Sequence, residues 1–198
     1  MHPYSTDSNE RLTVPLLLAG LSIVFAWCIA AIVAAWKIPI PWWLDVPAVW
    51  GLYGLLWKAF DSWLWALTPI RGIGLVKVPD LRGTWRGYGV SSYREAGERK
   101  RFDITIVIRQ QWTRLSVVLE AEASRSQSLI GALMLDDGGG PMLSYEYRNE
   151  PKPHAAATMH PHRGMTRLGL VSPGRLEGEY YTGRDRQNYG TLSLEKVE

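Results

Sequence analysis

The 198-residue chain has a single cysteine, Cys28, so no intramolecular disulfide can form and nothing argues for an oxidising compartment. The motifs of common catalytic chemistry are missing too. There is no Gly-rich loop ending in Lys-Ser or Lys-Thr, no Gly-x-Ser-x-Gly and no paired His and Cys nucleophile arrangement. Enzymatic chemistry is therefore unsupported, and no cofactor is implied. Charge is absent from one long stretch, Leu12 to Trp36. As a helix that stretch measures about 37 Å, long enough to cross a bilayer. A cleaved signal peptide fits less well, because Arg11 is offset by Asp7 and Glu10 and a second apolar stretch follows almost at once.

What is present before Leu67 reads as a two-helix transmembrane hairpin. A tail covers residues 1–11, a first span 12–36, an outer turn 37–45 and a second span 46–67. Pro39 and Pro41 break a helix in the turn, and Trp42 and Trp43 suit a membrane surface. Asp45 is a candidate N-cap with Pro47 in the first turn, and Thr68 and Pro69 stop the second helix. Lys58 and Asp61 interrupt that helix three residues apart on one face, either paired or at the inner interface with Lys58 snorkelling among Trp57, Trp63 and Trp65. In the interface case the apolar part from Val46 to Trp57 is short for the hydrocarbon core, which implies thinning, tilt or self-association. Arg71, Lys77, Arg82 and Arg86 follow the second helix while the turn has only Lys37, so both termini are expected in the cytoplasm. Eight of the ten tryptophans precede Leu67, which marks the boundary between two unlike halves.

A linker over residues 68–79, loosened by Gly72 and Gly74, leads to one soluble domain over 80–198 with a period of two. Phe102, Ile104, Ile106 and Ile108 share one strand face; Leu115, Val117 and Leu119 share the next; Leu143, Tyr145 and Tyr147 another. Eight strands are expected, near 83–92, 100–110, 112–122, 125–135, 142–149, 165–172, 175–183 and 189–197, separated by turn signals such as Pro173-Gly174. Consecutive antiparallel strands without helical pattern favour an all-β, eight-stranded antiparallel up-and-down barrel, in which closure removes exposed edges; a half-open sandwich is the alternative. Gly87, Gly89, Gly178 and Gly190 would supply coiling or room for a ligand. Gly83-Thr84-Trp85 is similar to the start of lipocalin-type barrels.

Other constellations carry less. His154, His160 and His162 share one loop but have no cysteine or acidic ligand close by in sequence, so a solvated loop is favoured over a metal site. Asp136 and Asp137 before three glycines lack the further ligands of a calcium loop. Arg99-Lys100-Arg101 is a short basic cluster at a strand start, better suited to solvent or a membrane surface than to DNA or RNA.

Two spans followed by a cytoplasmic barrel, Val78-Pro79-Asp80-Leu81-Arg82-Gly83-Thr84-Trp85 at the domain entry, and Tyr180-Tyr181-Thr182-Gly183-Arg184 with Tyr189-Gly190-Thr191-Leu192-Ser193-Leu194 near its end form one layout. That layout resembles the two-transmembrane, β-strand-rich effectors of bacterial cyclic-oligonucleotide antiphage signalling (CBASS). The resemblance implies a barrel that binds a cyclic dinucleotide, then self-association in the bacterial inner membrane, disruption of that lipid bilayer and death of the infected cell. Two phosphates and two flat bases call for cationic donors beside aromatic planes. From Arg71 onward there are 19 Lys or Arg against 15 Asp or Glu. The candidate ligand residues are Arg184, Arg186 and Asn188 in the last hairpin, with Tyr147, Arg148 and Tyr180; Trp85 is assigned to the barrel floor or the cavity wall. Lys58 and Asp61 are the candidate residues of the membrane step. Without the resemblance, a lipocalin-like carrier of a hydrophobic ligand or a scaffold with a filled barrel would rank level with this reading.

Overall fold

The computed structural model describes residues 1–37, 45–95, 97–135, 138–157, 159–184 and 186–197. They form two compact units, one of Asn9–Lys77 and one of Met1–Ser8 together with Val78–Glu198.

In the helical unit, α1 (Glu10–Ala35) is a 26-residue helix that begins after Asn9. The Glu10 carboxylate accepts a hydrogen bond from the Lys77 amide at 2.6 Å. Val14, Leu18 and Ser22, spaced by four, form its buried stripe. Leu12, Leu16, Trp27 and Ile32 are exposed. Among the described helices, α1 alone is long and apolar enough to cross a membrane. It packs against α2 (Asp45–Ser62). The helix expected over 46–67 ends early: Trp63 adopts φ −152° and ψ −31°, and Leu64–Ala66 continue as a 3-10 turn. A short α3 (Thr68–Gly72), with proline in its first turn, then occupies the start of the expected linker. A second crossing is thus not shown. Lys58 and Asp61 lie in the last two turns of α2, Lys58 exposed and Asp61 half-buried. The outer turn expected over 37–45, with Pro39, Pro41, Trp42 and Trp43, falls largely outside the described residues, as does the side chain of Asp45.

The described residues of the second unit form one sheet of nine strands: β1 (His2–Thr6), β2 (Gly83–Glu95), β3 (Glu98–Gln110), β4 (Arg114–Ala121), β5 (Ser124–Met134), β6 (Met142–Pro151), β7 (His162–Ser172), β8 (Arg175–Thr182) and β9 (Tyr189–Val197). From β2 to β9 each strand pairs antiparallel with the next. β9 then returns to β2, from Thr84↔Val197 to Ser91↔Gly190, so the pairings close on themselves. The alternation read from the sequence follows this ring. Ile104, Ile106 and Ile108, Leu115 and Val117, and Leu143, Tyr145 and Tyr147 are all buried. A Cβ at Gly178 would overlap the carbonyl oxygen of Arg167, and one at Gly87 that of Ser193. These two glycines serve close backbone approach in the coiled strands and leave no room for a ligand.

The ninth strand was not expected, because residues 1–11 read as a tail. β4 and β5 pair only from Val118↔Gln127 to Glu120↔Arg125. Where they part, β1 enters, antiparallel to β4 at His2↔Leu115 and parallel to β5 from Tyr4↔Gly131 to Thr6↔Leu133. It covers edges that would otherwise expose unpaired amides. His2 Nδ1 lies 2.9 Å from the Pro3 carbonyl, which only accepts, so Nδ1 carries the proton and Nε2 takes the lone pair. The Ser128 hydroxyl therefore donates to His2 Nε2 at 2.8 Å and accepts the Val117 amide at 2.9 Å. The Asp7 carboxylate accepts the Leu135 amide at 2.9 and 3.0 Å.

The start of the domain is tied down as firmly. Gln110, only 4% exposed, accepts the Leu81 amide at 2.9 Å and donates to the Pro79 carbonyl at 3.0 Å. Asp80 and Arg82 pair at 2.6 Å.

Candidate ligand site

Which residues face the interior follows from register and parity. On β6 the inward set is Leu143, Tyr145, Tyr147 and Asn149, all buried. Their partners on β7 are Leu168, Thr166, Gly164 and His162. On β5 they are Leu133, Gly131, Ser128 and Ser126. Read along these strands, the interior changes character. One end is apolar and filled: Trp85, Trp112, Ile106, Leu115, Leu176 and Leu194 are at most 1% exposed. The other end is polar, with buried Ser91, Ser124, Ser126, Ser128, Asn149 and Thr166 beside Tyr147 and Tyr180.

At the polar end Tyr147 lies across Gly164, where a Cβ would overlap the tyrosine hydroxyl. Its ring is 6.5 Å from that of Tyr145 at 60°. Tyr180 meets Phe102 edge-on at 6.3 Å. Burial pushes the Tyr147 and Tyr180 hydroxyls up, with Arg186 pulling both back down. Burial also pushes His162 down; a hydrogen bond to His160 opposes this and Arg186 adds to it. Arg186, half-buried in the β8–β9 turn, is within electrostatic reach of Tyr147, Tyr180 and His162. His162 Nδ1 is 2.9 Å from the His160 carbonyl, so Nδ1 carries the proton and Nε2 remains an acceptor.

The turn that carries Arg186 is anchored. The Thr182 hydroxyl donates to the Asn188 carbonyl at 3.0 Å and accepts the Asn188 amide at 2.8 Å. The Gly183 amide donates to Arg163 of β7 at 2.8 Å, and the Arg186 and Gln187 amides both return to the Gly183 carbonyl at 3.1 Å. Gln187 takes a positive φ of 52° to close the loop.

Of the residues expected from sequence, Tyr147 and Tyr180 share this end, and Arg186 lies within electrostatic reach of both. Arg148 does not. It follows Tyr147 on the strand and therefore points outward, with its side chain 58% exposed and paired with Glu150 at 3.0 Å. Arg184 is exposed in the same turn as Arg186, and Asn188 is half-buried beside it. Trp85 sits at the opposite, apolar end, 1% exposed, its indole N–H donating to the Leu81 carbonyl at 3.0 Å. The three loop histidines are dispersed, His154 in a 3-10 turn and His162 at the start of β7. The sequence reading missed Ser124, Ser126 and Asn149, and weighed His162 only as a loop metal ligand. Their signal was present, since Asn149 has the same parity as Tyr145 and Tyr147.

A separate cleft of about 650 Å³ lies on the wall formed by β5 to β8, lined by Ser5, Ile130, Glu146, Arg163, Met165 and Tyr181 among others. Its guanidinium, Arg163, is 3.7 Å from Glu146. That pairing, and the acidic group itself, make it a poorer receptor for a dianion than the polar end of the interior.

Comparison with known proteins finds a family and relatives of this chain. The family described as Cap15, cyclic dinucleotide receptor domain, matches residues 76–196. A CD-NTase-associated protein 15 of Yersinia aleksiciae is 30% identical over 149 residues, 75% of this chain and 69% of that one. A protein of the same name from Staphylococcus schleiferi is 29% identical over 199 residues, 96% of this chain and all of that one.

Proposed function

The chain belongs to the Cap15 cyclic dinucleotide receptor family of CBASS effectors, and we propose that it binds its cyclic dinucleotide at the polar end of the barrel interior. The observation that carries this is the gathering of Tyr147 and Tyr180 with buried Ser126, Ser128 and Asn149 at one end of a closed sheet whose other end is filled, with Arg186 in electrostatic reach of both tyrosines. In this reading Arg186 neutralises a phosphate, exposed Arg184 steers the ligand, and the tyrosine rings give the bases flat partners.

The same reading extends to the membrane. α1 and α2 form a hairpin in the bacterial inner membrane with both termini in the cytoplasm, supported by the excess of Arg and Lys after the second helix. Ligand binding favours a self-associated form, and the assembled hairpins disrupt the bilayer and kill the infected cell. That sequence requires the ligand to bind the assembled form more tightly than the resting one, since equal affinity would shift nothing. Lys58 and Asp61 are the polar groups that assembly would bring together in lipid.

The test is titration of the full chain in lipid nanodiscs with a panel of cyclic di- and trinucleotides, with linear dinucleotides and fatty acids as controls. One cyclic dinucleotide should bind saturably. Arg186→Ala should weaken it by about tenfold or more, the scale of one charge-assisted hydrogen bond, while Arg148→Ala should leave it unchanged. Binding of fatty acids alone, or equal losses in both variants, would overturn the assignment.

A further inference from the structure

We infer that Asn149 reads the edge of a ligand base, offering a buried acceptor to a nucleobase N–H. This rests on the cyclic dinucleotide reading above and deepens it. Asn149 is 6% exposed on the inward face of β6, two residues beyond Tyr147. Its amide nitrogen donates to Ser124 Oγ at 2.9 Å and to Ser126 Oγ at 2.8 Å. Both N–H groups are thereby used, and the amide plane is fixed from the β5 side. The carbonyl oxygen Oδ1 is buried and has no hydrogen-bond partner among the described residues.

Native interiors leave few such atoms, and each asks for a partner that the resting structure does not supply. Two features say what that partner is. The atom is an acceptor, so the partner brings an N–H or O–H. Its cross-strand neighbour is His162, whose Nε2 is also left as an acceptor once Nδ1 donates to His160. Two acceptors side by side at the end that carries Tyr147, Tyr180 and Arg186 suit the donor-bearing edge of a base rather than a phosphate or a sulfate, which would be repelled. The inner wall thus divides the labour: Arg186 takes charge, and Asn149 takes base identity. A site built to hydrogen-bond a donor rejects the analogue that lacks it, because its own acceptor is then left unpaired.

The experiment uses the full chain in nanodiscs and the cyclic dinucleotide that binds it best. It is compared with an analogue whose base edge has lost its donor, purine for adenine or N3-methyluracil for uracil. Wild type should bind the analogue about tenfold more weakly, the equivalent of one buried hydrogen bond. Asn149→Leu should bind the parent as weakly as wild type binds the analogue, and should no longer distinguish the two. Asn149→Asp, which keeps the acceptors, should retain the discrimination in part. Equal discrimination in wild type and Asn149→Leu would overturn the inference while leaving the ligand assignment intact. Should Asn149→Leu fail to fold, wild type alone decides, since no preference for the donor-bearing base sinks the inference. Absence of any cyclic dinucleotide binding to wild type would instead sink the reading on which it rests.

Discussion

The N-terminal strand gives the sharpest test of how the closed sheet is held together. Tyr4 is 8% exposed, lies opposite Gly131 on β5 and has its hydroxyl 3.4 Å from the Gln111 carbonyl. Tyr4→Ala should therefore remove nearly a whole buried ring from the seam where β4 and β5 part. An aromatic side chain buries about 150–250 Å², and at about 25 cal/mol per Å² its loss amounts to about 4–6 kcal/mol as an upper bound. A compact unfolded chain and solvent entering the seam reduce this to about 3 kcal/mol. The long hydroxyl contact adds little. For a unit of this size the melting temperature should fall by about 10 °C. The readout is thermal unfolding of the full chain in detergent, with hydrogen exchange to locate the effect. Amides of Leu115–Val117 and Gly131–Leu133 should exchange faster, and Tyr93→Ala, removing a ring that is 53% exposed, should change neither observable. A melting temperature within about 2 °C of wild type for Tyr4→Ala, or faster exchange everywhere but this seam, would refute the claim that β1 completes the sheet.

Gln110→Leu should destabilise by about 2–4 kcal/mol, because it orphans both the Leu81 amide and the Pro79 carbonyl at a buried position; denaturant unfolding measures it, and a change under about 0.5 kcal/mol would mean the start of the domain is held by something else. His162 has its pKa held below the ordinary 6.5 by burial, against a hydrogen bond to His160 and with help from Arg186. The unfolded chain therefore takes up the proton first as pH falls below about 6.5. Its contribution to stability is complete above that value and is lost as pH drops through the folded pKa. His162→Gln should flatten this part of the pH–stability curve while leaving the region above pH 7 unchanged, and an unaltered acid slope would show that the imidazole is not the group responsible.

Much of the sheet was legible because its cue is local. Alternation at Phe102–Ile108, Leu115–Leu119 and Leu143–Tyr147 marks inward faces whatever the partner strand, and Pro173-Gly174 marks a turn on its own, with Gly174 at φ 87°. β1 was invisible for the opposite reason. Five residues, His2–Thr6, owe their strand conformation to a gap between β4 and β5 more than a hundred residues away, and no local pattern announces such a gap. The early end of α2 was hidden differently: Trp63, Leu64 and Trp65 restore apolar character after Asp61 and Ser62, so hydropathy could not register the break in backbone angles at Trp63. At the site, composition pointed to Tyr147 and Tyr180, but crowding of arginines in sequence misled. Arg148 is adjacent to Tyr147 and for that reason faces the other way.

The interior also bears on what kind of receptor this is. A carrier of a hydrophobic ligand needs apolar space, and the apolar part of this interior is taken by Trp85, Trp112, Leu115, Leu176 and Leu194, packed to 1% exposure or less. The polar part is different in kind. Its serines, tyrosines and Asn149 are withdrawn from water, yet Asn149 Oδ1 has no hydrogen-bond partner among the described residues, so this region carries an unmet demand that a fatty acid could not satisfy. A ligand rich in N–H donors and bearing anionic groups answers both that demand and the nearby Arg186. The gradient along the strands, from Leu143 through Tyr147 to Asn149, therefore favours a polar, anionic ligand independently of the family to which the chain belongs.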